Sequence, residues 1–119
     1  MALHNSLGKK GEEFAIKHLK EKGYSILEQN YRYLKAEVDI IAQKEDVLVA
    51  VEVKTRSSNY FGNPEEFVNK KKIQLLTMAI DHYVQYKDLN VEVRFDIIAV
   101  LNTKGTFEVE HIEDAFLFF

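Results

Sequence analysis

The chain has 119 residues, a formal net charge of -3 and no cysteine, and 46% of its residues are hydrophobic. This length and composition predict one globular domain, residues 1–119, with a core of its own. The absence of cysteine excludes disulfides and thiolate metal sites, and no apolar run reaches the ~20 residues of a membrane span. The acidic balance argues against a protein that coats nucleic acid without specificity. We expect a cytoplasmic protein, because the N-terminus lacks a signal-peptide pattern.

Hydrophobic periodicity predicts the element order α-β-β-β-α-β-β. The expected elements are a helix at 6–22, strands at 24–33, 37–42 and 47–54, a helix at 64–86, and strands at 91–101 and 107–112. Ser6 is suited to cap the start of the first helix, and Gly23 is suited to end it. Asn63 and Pro64 mark the start of the second helix, because proline favours the first helical position. The polar turn 43–46 predicts that the two strands beside it form a hairpin.

Three further features have structural interpretations. His18 lies on the apolar arc of the first helix, so we expect a hydrogen-bonded core histidine. Arg94 and Asp96 share a strand face and are expected to pair, unless Asp96 supports the acidic site described below. The apolar residues 116–119 are expected either to pack back on the sheet or to form a dimer contact.

The strand at 47–54 combines an apolar face with a charged end. Because side chains alternate along a strand, its four valines share one face and form core, while the opposite face ends in Glu52 and Lys54. In the preceding strand, strict alternation places Asp39 and Ile41 on one face and Val38 on the other. Pairing of the two strands as a hairpin would bring Asp39 towards the charged end of its neighbour.

These residue types suit the hydrolysis of a phosphodiester. That reaction needs a hard divalent cation with oxygen ligands and a group that organises the attacking water. Asp39 and Glu52 offer two carboxylates and Lys54 an ammonium, while Glu12 offers a further acid at the edge of the apolar stripe of the first helix. Mg²⁺ is the natural metal, since it needs few carboxylates. A lone Glu-x-Lys is commonly a surface ion pair, and Lys54 would alternatively neutralise acids that pack together.

Four segments carry a resemblance to a known family. In chain order they are Gly8-x-x-Gly11-Glu12, Asn30-Tyr31-Arg32, Val51-Glu52-Val53-Lys54-Thr55-Arg56 and Arg94-Phe95-Asp96. Together they resemble the YraN-like family of small bacterial proteins, which are similar to archaeal Holliday junction resolvases. Asp39, followed by Glu52 and Lys54, resembles the D-x(n)-E-x-K core of the PD-(D/E)xK nucleases.

The resemblance implies an α/β, restriction-endonuclease-like fold, in which a mixed central β-sheet carries a helix on each face. It implies that Asp39 and Glu52 bind Mg²⁺ or Mn²⁺, with Glu12 as an accessory metal carboxylate. Lys54 would orient water or stabilise the pentacovalent phosphate. The family usually has glycine before its Glu-x-Asp pair, where this chain has Ala36. The expected function is a metal-dependent nuclease acting on structured or branched DNA.

Basic residues around the acids are candidates for binding the phosphates of DNA. They are Arg32, Lys35, Arg56, Lys70, Lys71 and Lys72. Three adjacent lysines on a helix are also typical of a solvated face. Tyr31, Tyr33, Tyr60 and Phe61 would either stack on bases or pack in the core.

Two other classes of function remain open. A nucleic-acid-binding accessory module with the nuclease fold would bind DNA without metal and would not cut it. A structural or partner-binding domain would have no affinity for DNA. By analogy with enzymes that act on two-fold junctions, a second copy of the chain is also a candidate partner.

Overall fold

The computed structural model describes residues 2–56 and 69–118, and the side chains of residues 7–56 and 69–116. Its elements are α1 (Ala2–Glu21), β1 (Ser25–Tyr33), β2 (Ala36–Lys44), β3 (Val47–Arg56), α2 (Lys70–Tyr86), β4 (Glu92–Thr103), β5 (Thr106–Ile112) and a short 3₁₀ helix (Ala115–Phe118). The predicted order α-β-β-β-α-β-β is confirmed. No helix in the described part of the chain is long and apolar enough to cross a membrane.

Within the described residues, five strands form one mixed sheet in the order β1-β2-β3-β4-β5. β3 and β4 are parallel, whereas the other neighbouring strands are antiparallel. A parallel pair needs a long crossover, which here contains α2, while the antiparallel pairs need only tight turns. The predicted hairpin of β2 and β3 is confirmed by the pairing of Lys44 with Val47. The fold is therefore of the α/β class with a mixed central sheet.

The sheet is covered by one helix on each face. On one face, Ala15 and Leu19 of α1 pack in a cluster with β3 and β4 residues that include Val49 and Val51. On the other face, Leu76 and other residues of α2 pack in a second cluster with residues of β2 and β3. Burial on both faces is the normal condition of a parallel pair of strands. The valine face of β3 is core as predicted, and the opposite face is core as well until it reaches its charged end.

The structure overturns the strict alternation expected for β2. Val38 and Ile41 both lie in the cluster beneath α2, whereas Ile40 lies in the cluster beneath α1. The pairing register of β2 with β3 runs from Lys44 to Ile40, and Asp39 is the next residue of β2 beyond it. The change of face therefore occurs where the paired part of the hairpin ends. An irregularity at such a point directs a side chain to a face of the sheet that regular pairing would not give it.

The helix ends agree with the sequence only in part. α1 begins at Ala2, so Ser6 lies inside the helix and its predicted role as N-cap is wrong. No proline or glycine in residues 2–5 opposes the extension of the helix. The predicted end at Gly23 is confirmed, since its φ of 96° favours glycine.

The predicted start of the second helix at Asn63 and Pro64 lies outside the described residues, but a continuous helix over 64–86 is wrong, because Asn69 has extended backbone with φ -115° and ψ 174°. α2 is described from Lys70, with Asn69 as its N-cap. The Asn69 side chain accepts a hydrogen bond of 2.8 Å from the backbone N–H of Lys72. The predicted end at Tyr86 is confirmed.

Of the apolar residues 116–119, Phe116 is the one whose side chain is described, and it packs back on the sheet, as one of the two expectations proposed. Ala115 is buried, and the rings of Phe116 and Phe95 stack with centroids 5.1 Å apart. The side chains of residues 117–119 lie outside the described part. The 3₁₀ helix thereby extends the cover of the sheet near α2.

A polar network crosses the side of the sheet that α1 covers. The guanidinium of Arg94 donates two hydrogen bonds of 2.9 Å to the carboxylate of Asp96, and it also donates to the hydroxyl of Tyr24 at 2.6 Å. His111 Nε2 donates to Asp96 at 2.7 Å, and His18 Nε2 lies 3.1 Å from His111 Nδ1. The predicted Arg94–Asp96 pair and the hydrogen-bonded His18 are both confirmed.

The network accommodates the charge of Asp96, whose side chain is fully buried. Burial favours the neutral acid, but hydrogen bonds from His111, Arg94 and the backbone N–H of Asp114 hold the pKa of Asp96 below its ordinary value. Burial, followed by the neighbouring His111, lowers the pKa of His18. All the described partners of Asp96 are thus structural, and they tie α1, β4 and the end of the chain together.

Gly11 permits a close approach of α1 to β3. A Cβ at this position would overlap Oγ1 of Thr55 and lie 2.9 Å from the Cβ of Thr55. Gly8, one helical turn earlier, has nothing within 4 Å of the corresponding position. The two helical glycines therefore offer a matched comparison of steric and conformational effects.

We expect Gly11→Ala to lower the free energy of unfolding by ~1–3 kcal/mol, because α1 must move away from β3. Gly8→Ala should raise it by ~0.5–1 kcal/mol, because alanine loses less conformational entropy in a helix than glycine does. Urea denaturation followed by circular dichroism measures both effects. Equal shifts of the two variants in the same direction would contradict the close approach.

Candidate active site

The candidate site lies where β2 and β3 diverge. Asp39 precedes Ile40, the first β2 residue that pairs with β3, and its Oδ2 accepts a hydrogen bond of 2.8 Å from the backbone N–H of Val53. Glu52 precedes Val53 on β3, and only 4% of its side chain is exposed. The two predicted acids are therefore brought together at the edge of the core beneath α2.

The two carboxyl groups strongly affect each other. Burial, followed by the charge of Glu52, raises the pKa of Asp39 to about 8, although the Val53 N–H opposes the rise. Two carboxylates so close together, that of Glu52 buried and that of Asp39 partly buried, favour either a proton or a bound cation.

Two lysines supply positive charge to this pair. Lys54 Nζ lies 3.5 Å from Oε2 of Glu52, and Lys72 Nζ forms a closer ion pair with the same oxygen. Burial lowers the pKa of Lys72, but the hydrogen bond and charge of Glu52 outweigh it, so the net shift is upward. Lys72 was predicted only as a contact for DNA phosphate. Its contact with Glu52 depends on how α2 packs on the sheet, and residue spacing in the sequence does not predict that packing.

Glu12 lies near the pair without joining it in a cluster. Burial, followed by the charge of Glu37, raises the pKa of Glu12, while a hydrogen bond from Asn30 opposes the rise. The charge of Glu52 also contributes to this rise, which shows that the two acids are neighbours. Among the described residues, no group of three or more His, Cys, Asp or Glu side chains is arranged to hold a metal ion.

The described donors nevertheless fit a small, hard cation. Mg²⁺ and Mn²⁺ favour oxygen ligands, and Mg²⁺ commonly takes one or two carboxylates and fills its other positions with water and phosphate. Asp39 and Glu52 offer such a pair, and their mutual repulsion raises the pKa of Asp39. A divalent cation would relieve that repulsion. Asp39 and Glu52 would be its protein ligands, and Glu12 lines a cavity that these two acids also line.

Two cavities meet at the carboxylate pair, and Asp39, Glu52 and Lys72 line both of them. The first has a volume of about 380 Å³ and lies between β2 and the start of α2, with Lys35 and Lys71 in its wall. The second has a volume of about 320 Å³ and lies between α1 and the end of β3. Its further lining residues include Glu12, Lys54 and Arg56.

The remaining candidate DNA contacts lie outside this centre. Arg32 is exposed and pairs with Glu37 at 2.9 Å, and Lys70 is exposed at the first position of α2. The ring of Tyr31 packs edge-on against Tyr83 in the cluster beneath α2, which agrees with the core interpretation. Tyr33 stacks on His82 with centroids 4.0 Å apart. The predicted roles of Tyr60 and Phe61 fall outside the described residues.

Fold and site together define a small α/β protein with a largely buried carboxylate pair at the divergence of two strands. The model of the Uncharacterised protein family UPF0102 matches residues 11–100, a range that contains Asp39, Glu52, Lys54 and Lys72. The chain therefore belongs to the UPF0102 family, which confirms the YraN-like membership predicted from the sequence.

Relatives of this family match the chain along nearly its whole length. A UPF0102 protein of Christiangramia forsetii is 59% identical over 119 residues and is covered completely, as is this chain. One of Flavobacterium psychrophilum is 58% identical with the same coverage. One of Bacteroides thetaiotaomicron is 48% identical over 116 residues, which are 98% of this chain and 96% of the relative. The names of these relatives state no activity.

The raised pKa of Asp39 predicts how stability depends on pH. Between pH 3.8 and about 8, folded Asp39 binds a proton that the unfolded chain has released. We therefore expect its contribution to the free energy of unfolding to fall as the pH rises through this window. Asp39→Asn should lack this fall, whereas Asp46→Asn, in an exposed turn, should keep it.

Urea denaturation at a series of pH values, with a chelator present, measures this effect. The decisive quantity is the unfolding free energy of the wild type minus that of Asp39→Asn at each pH. This difference should decline between pH 4 and 8. A difference that is independent of pH would mean that Asp39 titrates normally in the folded protein.

Proposed function

We propose that the protein is a Mg²⁺- or Mn²⁺-dependent nuclease of the PD-(D/E)xK superfamily that hydrolyses phosphodiester bonds in structured or branched DNA. One observation carries the proposal. The buried carboxyl group of Glu52 and the partly buried one of Asp39 lie together at the divergence of β2 and β3, with Lys54 3.5 Å from Glu52. A purely structural site would rarely bury two acids so close together, because each destabilises the charge of the other.

Each residue of the site has a chemical task in this proposal. A bound divalent cation would neutralise the phosphate and favour ionisation of water. Asp39 and Glu52 hold that cation, and the Val53 N–H keeps the Asp39 carboxylate oriented towards β3. Lys54 is kept beside Glu52 by its position on the same strand, where its ammonium can orient water or stabilise charge on the phosphate.

The two cavities support a phosphodiester as the substrate. Lys35 and Lys71 line one of them and Lys54 and Arg56 the other, so positive charge lies on both sides of the carboxylates. A DNA backbone that passed through both would place a phosphate beside the acids. The preference for branched DNA rests on the resemblance to Holliday junction resolvases, and a homodimer would suit a two-fold junction.

The leading test is a cleavage assay with a four-way DNA junction, its linear duplex, a single strand and an RNA of the same sequence. We expect cleavage of the junction in Mg²⁺ or Mn²⁺ and none with a chelator. Asp39→Asn and Lys54→Ala should each slow cleavage by at least ~10²-fold, the usual effect of losing one group that stabilises charge in the transition state.

Glu110→Gln is the matched control, because it removes a carboxylate that is exposed on β5. It should cut at the rate of the wild type. Circular dichroism must show that all variants are folded. Failure of the wild type to cut any substrate, or equal rates for Lys54→Ala and the wild type, would exclude the catalytic proposal.

A second candidate is an accessory module that binds nucleic acid without cutting it. The contacts of Lys54 and Lys72 with Glu52 favour it, because they reduce the negative charge of the centre without a metal. This candidate predicts DNA binding in chelator that weakens steeply with salt. Fluorescence anisotropy from 50 to 200 mM salt measures it. Binding that requires the divalent cation would contradict this candidate.

A further inference from the structure

Resting on the metal-binding part of the proposed function, we propose that Lys72 is a displaceable internal counter-cation. Its ammonium occupies Glu52 while no divalent cation is bound. When a cation binds, the ammonium moves into the cavity that also contains Lys71. There it contacts a phosphate of the substrate. Metal binding and phosphate binding are thereby coupled through one side chain.

The carboxyl groups of Glu52 and Asp39 need a positive charge close to them. The side chain of Glu52 is almost entirely buried, and Asp39 lies beside it. Such a centre is unfavourable unless a cation balances it. The closer ammonium is that of Lys72, whereas Lys54 Nζ stands 3.5 Å away. Lys72 therefore contacts a carboxylate oxygen of Glu52 for which a bound metal would compete.

Lys54 and Lys72 differ in how firmly each is held beside Glu52. Lys54 belongs to β3, where it pairs with Ala99 of the parallel strand β4, so its backbone is fixed beside Glu52. Lys72 reaches Glu52 from a different element, and its side chain is more exposed, at 36% against 23% for Lys54. Its long aliphatic chain can rotate while its backbone stays in place.

A cavity is available to the Lys72 ammonium when it leaves Glu52. Lys72 lines both cavities, and the larger one, of about 380 Å³, also has Lys35 and Lys71 in its wall. The Asn69 cap holds the backbone of Lys72 at the first turn of α2, so the movement is confined to the side chain. A phosphate in that cavity would give the ammonium a new anionic partner.

A divalent cation and an ammonium cannot both contact the same carboxylate oxygen without strong repulsion. The ion pair of Lys72 with Glu52 therefore weakens metal binding in the absence of substrate. A phosphate that attracts Lys72 removes this competition. By thermodynamic linkage, phosphate then strengthens metal binding, and metal strengthens phosphate binding by the same factor.

The test is Mn²⁺ binding to the full chain without nucleic acid, measured by isothermal titration calorimetry. We expect Lys72→Gln to bind Mn²⁺ roughly tenfold more tightly than the wild type, because a nearby positive charge is removed. Lys72→Arg keeps the charge and should bind like the wild type. Lys71→Gln removes the same charge one residue earlier and should change the affinity much less.

A second readout uses the unmodified sequence. Brief acylation of amines, followed by peptide mass spectrometry, reports the accessibility of each lysine. Saturating Mg²⁺ should increase the acylation of Lys72 severalfold and leave that of Lys71 unchanged. This measurement does not depend on any substitution being tolerated by the fold.

The outcomes separate this inference from the nuclease proposal. If Lys72→Gln binds Mn²⁺ no more tightly than Lys71→Gln, the inference is wrong even if the protein cuts DNA. If Lys72→Gln binds more tightly and no DNA is cut, the inference stands and the nuclease proposal fails. If neither the wild type nor any variant binds Mn²⁺, both are overturned.

Discussion

The hydrogen bond from the Val53 N–H to the Asp39 carboxylate is the contact on which the candidate site depends. It joins β2 and β3 just beyond the last residues that pair through their backbones. The Asp39 side chain thus accepts a hydrogen bond from a strand N–H, whereas backbone carbonyl groups accept such bonds elsewhere in the sheet. The strands can separate at this point without leaving a buried N–H unsatisfied. Their separation makes room for two carboxyl groups where a regular sheet would hold apolar side chains.

Chain topology determines which groups surround those carboxyls. Because β4 is parallel to β3, the chain must cross from one end of the sheet to the other, and α2 forms the last part of that crossover. The start of α2 thereby delivers Lys72 to Glu52. On the opposite face, Gly11 lets α1 approach the end of β3, which brings Glu12 near the same centre. Residues from four elements meet there for reasons of packing.

The sequence predicted those features that depend on neighbouring residues. Alternation along β3 was enough to find Glu52 and Lys54, and the polar turn before Val47 was enough to predict the hairpin. The sequence did not reveal the change of face in β2, because strand alternation describes only regular pairing. Lys72 was recognised as a basic residue, but its partner could not be inferred without the position of α2. The contact of His18 with His111 spans 93 positions, and no local pattern reports such a contact.

The network around Asp96 has a consequence for how the chain becomes folded during its synthesis. Two groups that stabilise this buried carboxylate, His111 and the N–H of Asp114, belong to the last ten residues of the chain. Until those residues leave the ribosome, Asp96 lacks part of its hydrogen bonding, and α1 lacks the contact between His18 and His111. α1 can therefore make its contact with His111 only after that residue has been synthesised. Cleavage or premature termination before residue 111 would leave the buried Asp96 with Arg94 alone among its described partners, and such weakened packing exposes an incomplete chain to cellular proteases.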